Sequence, residues 1–261
     1  MISLLNRLYA DYLMPSRLGE YEALLGRARD AGYAQLSVRQ FHREFAAPGN
    51  APQKVLVHRH DIDSDVRTAK KMFALEARHG AKASYYFRLT TLDFGFMREI
   101  EAAGSEASYH YEEVADYAKR HRIRCPIEIR RRFPEIREQF VRNFSSITER
   151  LGMQMVTVAS HGDFANRRLK VINHELLRDA ELRRRCGIEC ESYDSELLNR
   201  FDMYISDREH PQYYVPLSPF EALGRYQRIC FLTHPLQWET NWIETTRCNL
   251  RRLAEEIAWR A

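Results

Sequence analysis

The chain has 261 residues, 44% of them hydrophobic, 11% aromatic and 29% charged, enough apolar surface to bury a core and too much for a disordered or low-complexity protein. A formal charge of +4 and a pI near 8.8 are too mild a basic excess to call for a nucleic-acid partner. No run of 18 apolar residues and no signal-peptide core occurs, so neither a transmembrane segment nor secretion is expected, and we place the protein in the cytoplasm.

The chain opens with MISLLNRLYADYL, which reads as an amphipathic helix because Arg7 and Asp11 interrupt its apolar pattern. EYEALLGRARDAGY is a second helix that stops at Gly32, and Pro48, Gly49 and Pro52 mark a loop. Residues 1–50 are thus expected to be a helical lead-in. KVLVHRH is a strand candidate, Ser64 is placed to cap a helix with Val66, Ala69, Met72, Phe73 and Ala77 on one face, and Gly80 closes it. ASYYFRL at 83–89 and EASYHYEE at 106–113 are strands, separated by the helical FMREIEAAG.

Lys119, Arg120, Arg122, Arg124, Arg130, Arg131 and Arg132 then crowd one stretch, read as a solvated loop and helix start rather than a site for an anion. A helix over 134–150 carries Pro134 in its first turn. MVTVASHGD at 155–163, FDMYISD at 201–207 and ICFLTHP at 229–235 are further strands, and NWIETTRCNLRRLAEEIAWR is a terminal helix. Cys125, Cys186, Cys190, Cys230 and Cys248 have no repeated pair spacing, which argues against a disulfide framework or a four-thiolate zinc site.

Alternating strands and helices predict a parallel sheet, open or closed into a barrel, in a single domain whose length suits one large α/β unit. The strands end in HRHDIDSD, HYEE, SHGD, SD and THP. Because C-terminal strand ends face the ligand crevice of such folds, these clusters are expected to meet at one mouth. Asp61 and Asp63 share a strand face, and buried charge there calls for a metal, a basic partner or protonation. With His110, His161 and His234 they suggest an open site for zinc, cobalt, nickel, manganese or iron, and metal-assisted hydrolysis. Neither GxGxxG, GxxxxGK[ST] nor GxSxG occurs, so nucleotide-fold and serine-nucleophile chemistry find no support.

The series RHDID, ASYYFRL, GSEASYHYEE, ASHGD with Asn166 downstream, YISD and LTHPLQW, over roughly residues 54–242, resembles the polysaccharide deacetylase (NodB-like) superfamily, in the branch of surface-polysaccharide and O-antigen biosynthesis clusters. The resemblance implies a distorted (β/α) barrel over 51–242 between the lead-in and a C-terminal helix at 243–261. It also implies one divalent transition metal, zinc first, and removal of an acetyl or formyl group from the nitrogen of an amino sugar. That sugar would be a nucleotide sugar, a lipid-linked glycan or a free sugar. By the same resemblance Asp61 is the catalytic base, Asp63 and His110 are metal ligands, and His234 protonates the leaving amine. Val114 stands where a second motif histidine is usual, so His161 is expected as third ligand, with Glu112 or Glu113 as alternatives. His60, Glu112, Glu113, Asp163, Asn166, Asp207 and Trp238 are the candidates for substrate contact, with loop capping or core packing as competing roles for Asp163, Asn166, Asp207 and Trp238. The competing function is a carbohydrate-binding barrel that has lost its metal.

Overall fold

A computed structural model describes residues 4–44 and 53–260. The loop expected around Pro48, Gly49 and Pro52 lies outside the described residues, as does the start of the first helix. No described helix is long and apolar enough to cross a membrane.

Among the described residues nine strands form one sheet: β1 (Ala34–Leu36), β2 (Val55–Ile62), β3 (Ala83–Phe87), β4 (Glu106–Tyr111), β5 (Thr157–Ser160), β6 (Cys190–Glu191), β7 (Met203–Asp207), β8 (Tyr214–Val215) and β9 (Arg228–Thr233). Eight of them run in the order β6-β5-β4-β3-β2-β9-β7-β8, and β1 pairs with β2 off this path. Every pairing is parallel except the β7–β8 edge. No pairing joins β6 to β7 or β8 among the described residues, so the sheet curls into a distorted, incompletely closed (β/α) barrel.

The lead-in is not purely helical. Ala34–Leu36 pairs with Val55–Val57 of β2, and β3 takes over alongside the same strand from His58 onward. A three-residue strand flanked by helices carries too little alternation to stand out in sequence. The short edge strands β6 and β8 escape for the same reason.

All eight residues of β2 are buried, because neighbours flank it on both edges and side chains cover both faces. Alternation then divides its side chains. Val55 and Val57 join Phe41, Tyr86, Ala159, Cys190 and Cys230 in the cluster that fills the lower barrel interior, whereas Leu56 packs with Tyr21, Leu24 and Trp238 against the outer helices. Cys186, Cys190 and Cys230 are buried free thiols.

The helix after β2 runs Val66–His79, and its cap is Asp65 rather than Ser64: the Asp65 carboxylate accepts the Thr68 N–H at 3.2 Å. Gly80 ends it with φ of +69°, a left-handed conformation that glycine adopts without a Cβ clash. The expected helix at 134–150 spans Phe133–Leu151, with Pro134 in its first turn. In the basic stretch, Arg130 and Arg132 form surface pairs with Glu175 and Glu135, while Lys119 turns inward to Asp163 and Glu255.

Candidate metal centre

Strand ends deliver the site. Asp61 closes the inward-facing series of β2 and Asp63 follows it; His110 lies near the end of β4, and His161 immediately follows β5. The register sets His110 beside Ala159 and Asp61 beside Tyr86. Asp63 Oδ1 lies 3.2 Å from His110 Nε2 and 2.9 Å from His161 Nδ1, and the two imidazole nitrogens are 3.3 Å apart.

This trio forms a group with metal-binding spacing. Asp63 Oδ1 is buried and makes no hydrogen bond, although two ring nitrogens lie so close. An orphaned carboxylate oxygen facing two imidazoles is costly by itself and fits a divalent ion. The ring of His110 is held by Nδ1–H donating to the Ala159 carbonyl at 2.9 Å, which leaves Nε2 its lone pair for coordination. Burial pushes the Asp63 carboxyl up, but His161 and His110 hold it well below the usual carboxylate range. Burial would lower His161, and Asp63 raises it instead.

Asp61 stands beside the trio, its Oδ2 3.5 Å from His110 Nε2. It is gripped by a residue to which the sequence reading gave no role. Arg59 donates from Nε and from a terminal nitrogen to the two Asp61 oxygens at 2.9 and 2.8 Å. The Arg59 guanidinium lies 4.3 Å from the Tyr193 ring centre. Burial drives the Asp61 carboxyl up, while Arg59 and His110 bring it below its ordinary value. The signal was available: Arg59 and Asp61 are two apart on one strand and share a face.

Across the site, His234 follows β9. Its Nδ1–H donates to Asp207 Oδ1 at 2.7 Å, its backbone N–H donates to Asp207 Oδ2 at 2.7 Å, and the Trp238 indole N–H donates to the same oxygen at 3.0 Å. Burial would lower the His234 imidazole, but Asp207, aided by Asp63 and Asp61, lifts it to about 9. Asp61, Asp63, His161, Asp163, Asp207 and His234 line a common cavity of about 460 Å³ whose outer wall includes Met14 and the inner face of helix Trp242–Arg260.

Other candidates fall elsewhere. His60 points from β2 to the side opposite Asp61, where its ring nitrogens meet Thr233 at 2.5 Å and Glu76 at 2.6 Å. Tyr21 and Tyr85 also donate to Glu76, at 2.6 and 2.5 Å, completing a buried network with no opening to the cavity residues. Trp238 is fully buried beneath Arg17 and serves Asp207, so it has no face to offer a sugar. Asp207 borders the cavity but is almost fully buried, bound to His234.

Glu112 is bound bidentately by Arg88, at 2.8 and 2.5 Å. Burial raises its carboxyl, and Arg88 brings it below the usual range. Glu113 turns into the core, accepting from Tyr109 at 2.6 Å and Asn143 at 3.0 Å, and burial pushes its carboxyl up to about 7. Val114 is fully buried in the apolar core. Asp163 and Asn166 cap each other at the start of helix Phe164–Leu169, with Asp163 also held by Lys119 at 3.1 Å.

Asn173 is a second residue absent from the sequence reading. Its side chain donates to the His161 carbonyl at 2.6 Å and accepts the N–H groups of Val114 and Ala115 at 3.0 and 3.1 Å. No local pattern announces a contact made across the fold.

No known family's profile matches the chain, and no curated protein matches it. Among solved structures it is similar to the Streptococcus pyogenes deacetylase PplD in complex with acetate, at 14% identity and a TM-score of 0.43 over 67% of this chain and 76% of that one. At that degree of likeness the geometry of the site has to carry the functional reading.

Proposed function

We propose that the chain is a metal-dependent hydrolase that removes an N-acyl group from an amino sugar. The observation that carries this reading is the orphaned Asp63 oxygen between His110 and His161, with a tethered carboxylate beside it and a charged imidazole across the cavity. Asp63, His110 and His161 would hold the ion, zinc first by the mixed oxygen and nitrogen donor set. When bound, such an ion supplies Lewis acidity to the amide carbonyl and eases loss of a proton from water.

The remaining chemistry belongs to side chains. Asp61, kept ionised and oriented by Arg59, takes the proton from the attacking water. The water oxygen adds to the carbonyl carbon, the C–N bond breaks, and His234, kept protonated by Asp207, gives its Nε2 proton to the departing nitrogen. The products are a carboxylate and a free amine. Resemblance in the motif series supports an amino sugar of surface-polysaccharide or O-antigen biosynthesis as substrate, in the cytoplasm, carried as a nucleotide sugar, on a lipid or free.

Val114 was the feature that favoured a metal-free binding barrel. Its side chain packs in the core, and three donors assemble without that position, so the hydrolase is the reading we retain. The deciding experiment is metal analysis of protein purified without chelator, followed by assay of the zinc-loaded protein on amino sugars carrying N-formyl, N-acetyl and longer N-acyl groups. About one equivalent of metal that is lost in His110→Ala and in His161→Ala is the expected result. Protein that takes up no zinc or cobalt overturns the reading.

A further inference from the structure

A second cavity, of about 860 Å³, opens beside the first, and the residues lining both are His161 and Gly162. Ile172, Leu177, Ala180 and Tyr193 give it apolar walls. In its interior the ionic groups are already paired: His174 Nδ1 lies 2.6 Å from Glu191, and Arg183 holds Asp194 through two contacts, at 2.7 and 2.5 Å, while Arg178 lies at the exposed edge. A pocket neutralised in this way suits an uncharged guest with apolar surface.

Gly162 lies on the wall shared by the two cavities. A Cβ built there meets no atom within 4 Å, and Gly162 is not among the residues of positive φ. The backbone therefore does not require glycine at this position. The place its side chain would take is open space on a wall that both cavities share.

Strand order gives that space a direction. Across the mouth the sequence is β6, β5 with His161, β4 with His110, then β3, β2 with Asp61, and β9 with His234. An amide held over the trio with its nitrogen toward the acid, His234, points the other substituent of its carbonyl toward β5 and β6. On that side lies the second cavity.

We infer that the second cavity receives the acyl chain of the substrate, and that this chain is longer than acetyl. The inference rests on the hydrolase reading above and adds the substrate class. An acetyl methyl is about the size of one water, ~30 Å³, and leaves such a cavity almost empty; a chain of several methylenes lies along Ile172, Leu177 and Tyr193. Gly162 is then the residue that sets acyl length.

The test uses the carboxylates that such hydrolysis releases. Acetate and hexanoate are titrated calorimetrically into the full chain loaded with zinc, with metal content measured on the same sample. Hexanoate is expected to bind at least about tenfold more tightly than acetate, since each buried methylene adds affinity. The ratio should fall toward one in Gly162→Val, which puts bulk on the shared wall, and in Ala180→Trp, which fills the cavity from its exposed edge. Equal binding of the two acids by zinc-loaded protein overturns the inference and leaves the hydrolase reading standing, as does a ratio that survives both variants. Failure to load zinc, or failure of zinc-loaded protein to bind either acid, removes both.

Discussion

Asp61 and Asp63, two residues apart, do different work because their partners differ: Arg59 occupies both oxygens of Asp61, while one oxygen of Asp63 faces only imidazoles. On the proposed mechanism Asp61→Asn retains bound zinc and lowers kcat by about a hundred- to ten-thousand-fold, the usual worth of a positioned base. Metal analysis and single-turnover assay on one sample check it; full activity in the variant removes Asp61 as the base. On the same mechanism His234 would set the alkaline limit. Its pKa lies above the ordinary 6.5, at about 9, so the imidazolium and the stability it brings are complete below 6.5 and are lost as pH rises through about 9. kcat/KM should fall over the same rise, and Asp207→Asn should move that fall to lower pH, read from the pH–rate profile. Period-two alternation made Asp61, Asp63 and their neighbour Arg59 readable as one face of a strand, and the same rule sends His60 to the other face. Nothing in the sequence shows that Trp238 lies beneath Arg17 rather than against a ligand.

At the scale of elements, the site depends on how strand ends are tied to the helices that follow. Asn173 joins the first turn of helix Glu113–His121 to the carbonyl of His161. Asn173→Ala leaves buried N–H groups without acceptors and is expected to cost about 1–3 kcal/mol of stability. Loss of orientation at His161 should also weaken zinc binding by about ten- to a hundredfold. Thermal unfolding and a competitive zinc titration separate the two effects, and unchanged zinc affinity would limit Asn173 to a capping role. Helix Val66–His79 and the long strands were readable because their apolar periods are sustained. The two-residue strands and the bond from Asn173 to His161 are set by tertiary packing, which leaves no local period.

For the whole molecule, two carboxyl groups bear on the response to solution conditions, Glu113 buried and Asp63 half-buried. Glu113, lifted to about 7 by burial, favours folding while protonated; that contribution is complete below the ordinary value of 4.5 and is lost as pH rises through about 7. Glu113→Gln keeps an oxygen for Tyr109 and Asn143, so it should stabilise the protein by on the order of 2 kcal/mol at pH 8 and by little at pH 4. Denaturation at the two pH values decides this; an equal effect at both would show that Glu113 does not titrate in the folded state. On the proposed function Asp63 would respond to metal instead. Zinc at a hundred times its dissociation constant should add about 2.7 kcal/mol, or roughly 5–10 °C in Tm for a chain of this size. A melting scan with and without chelator reads this shift.

The three donors and the rest of the mouth come from different stretches of chain. Asp63, His110 and His161 all precede β6, whereas Asp207, His234 and the cavity wall on helix Trp242–Arg260 all follow it. Synthesis runs from the N-terminus, so the ion's ligands leave the ribosome before the proton donor and the wall exist. On the proposed function, the residues that would hold the ion are therefore made before those that would complete the reaction, and β9, which pairs with β2, is the strand that joins the two groups.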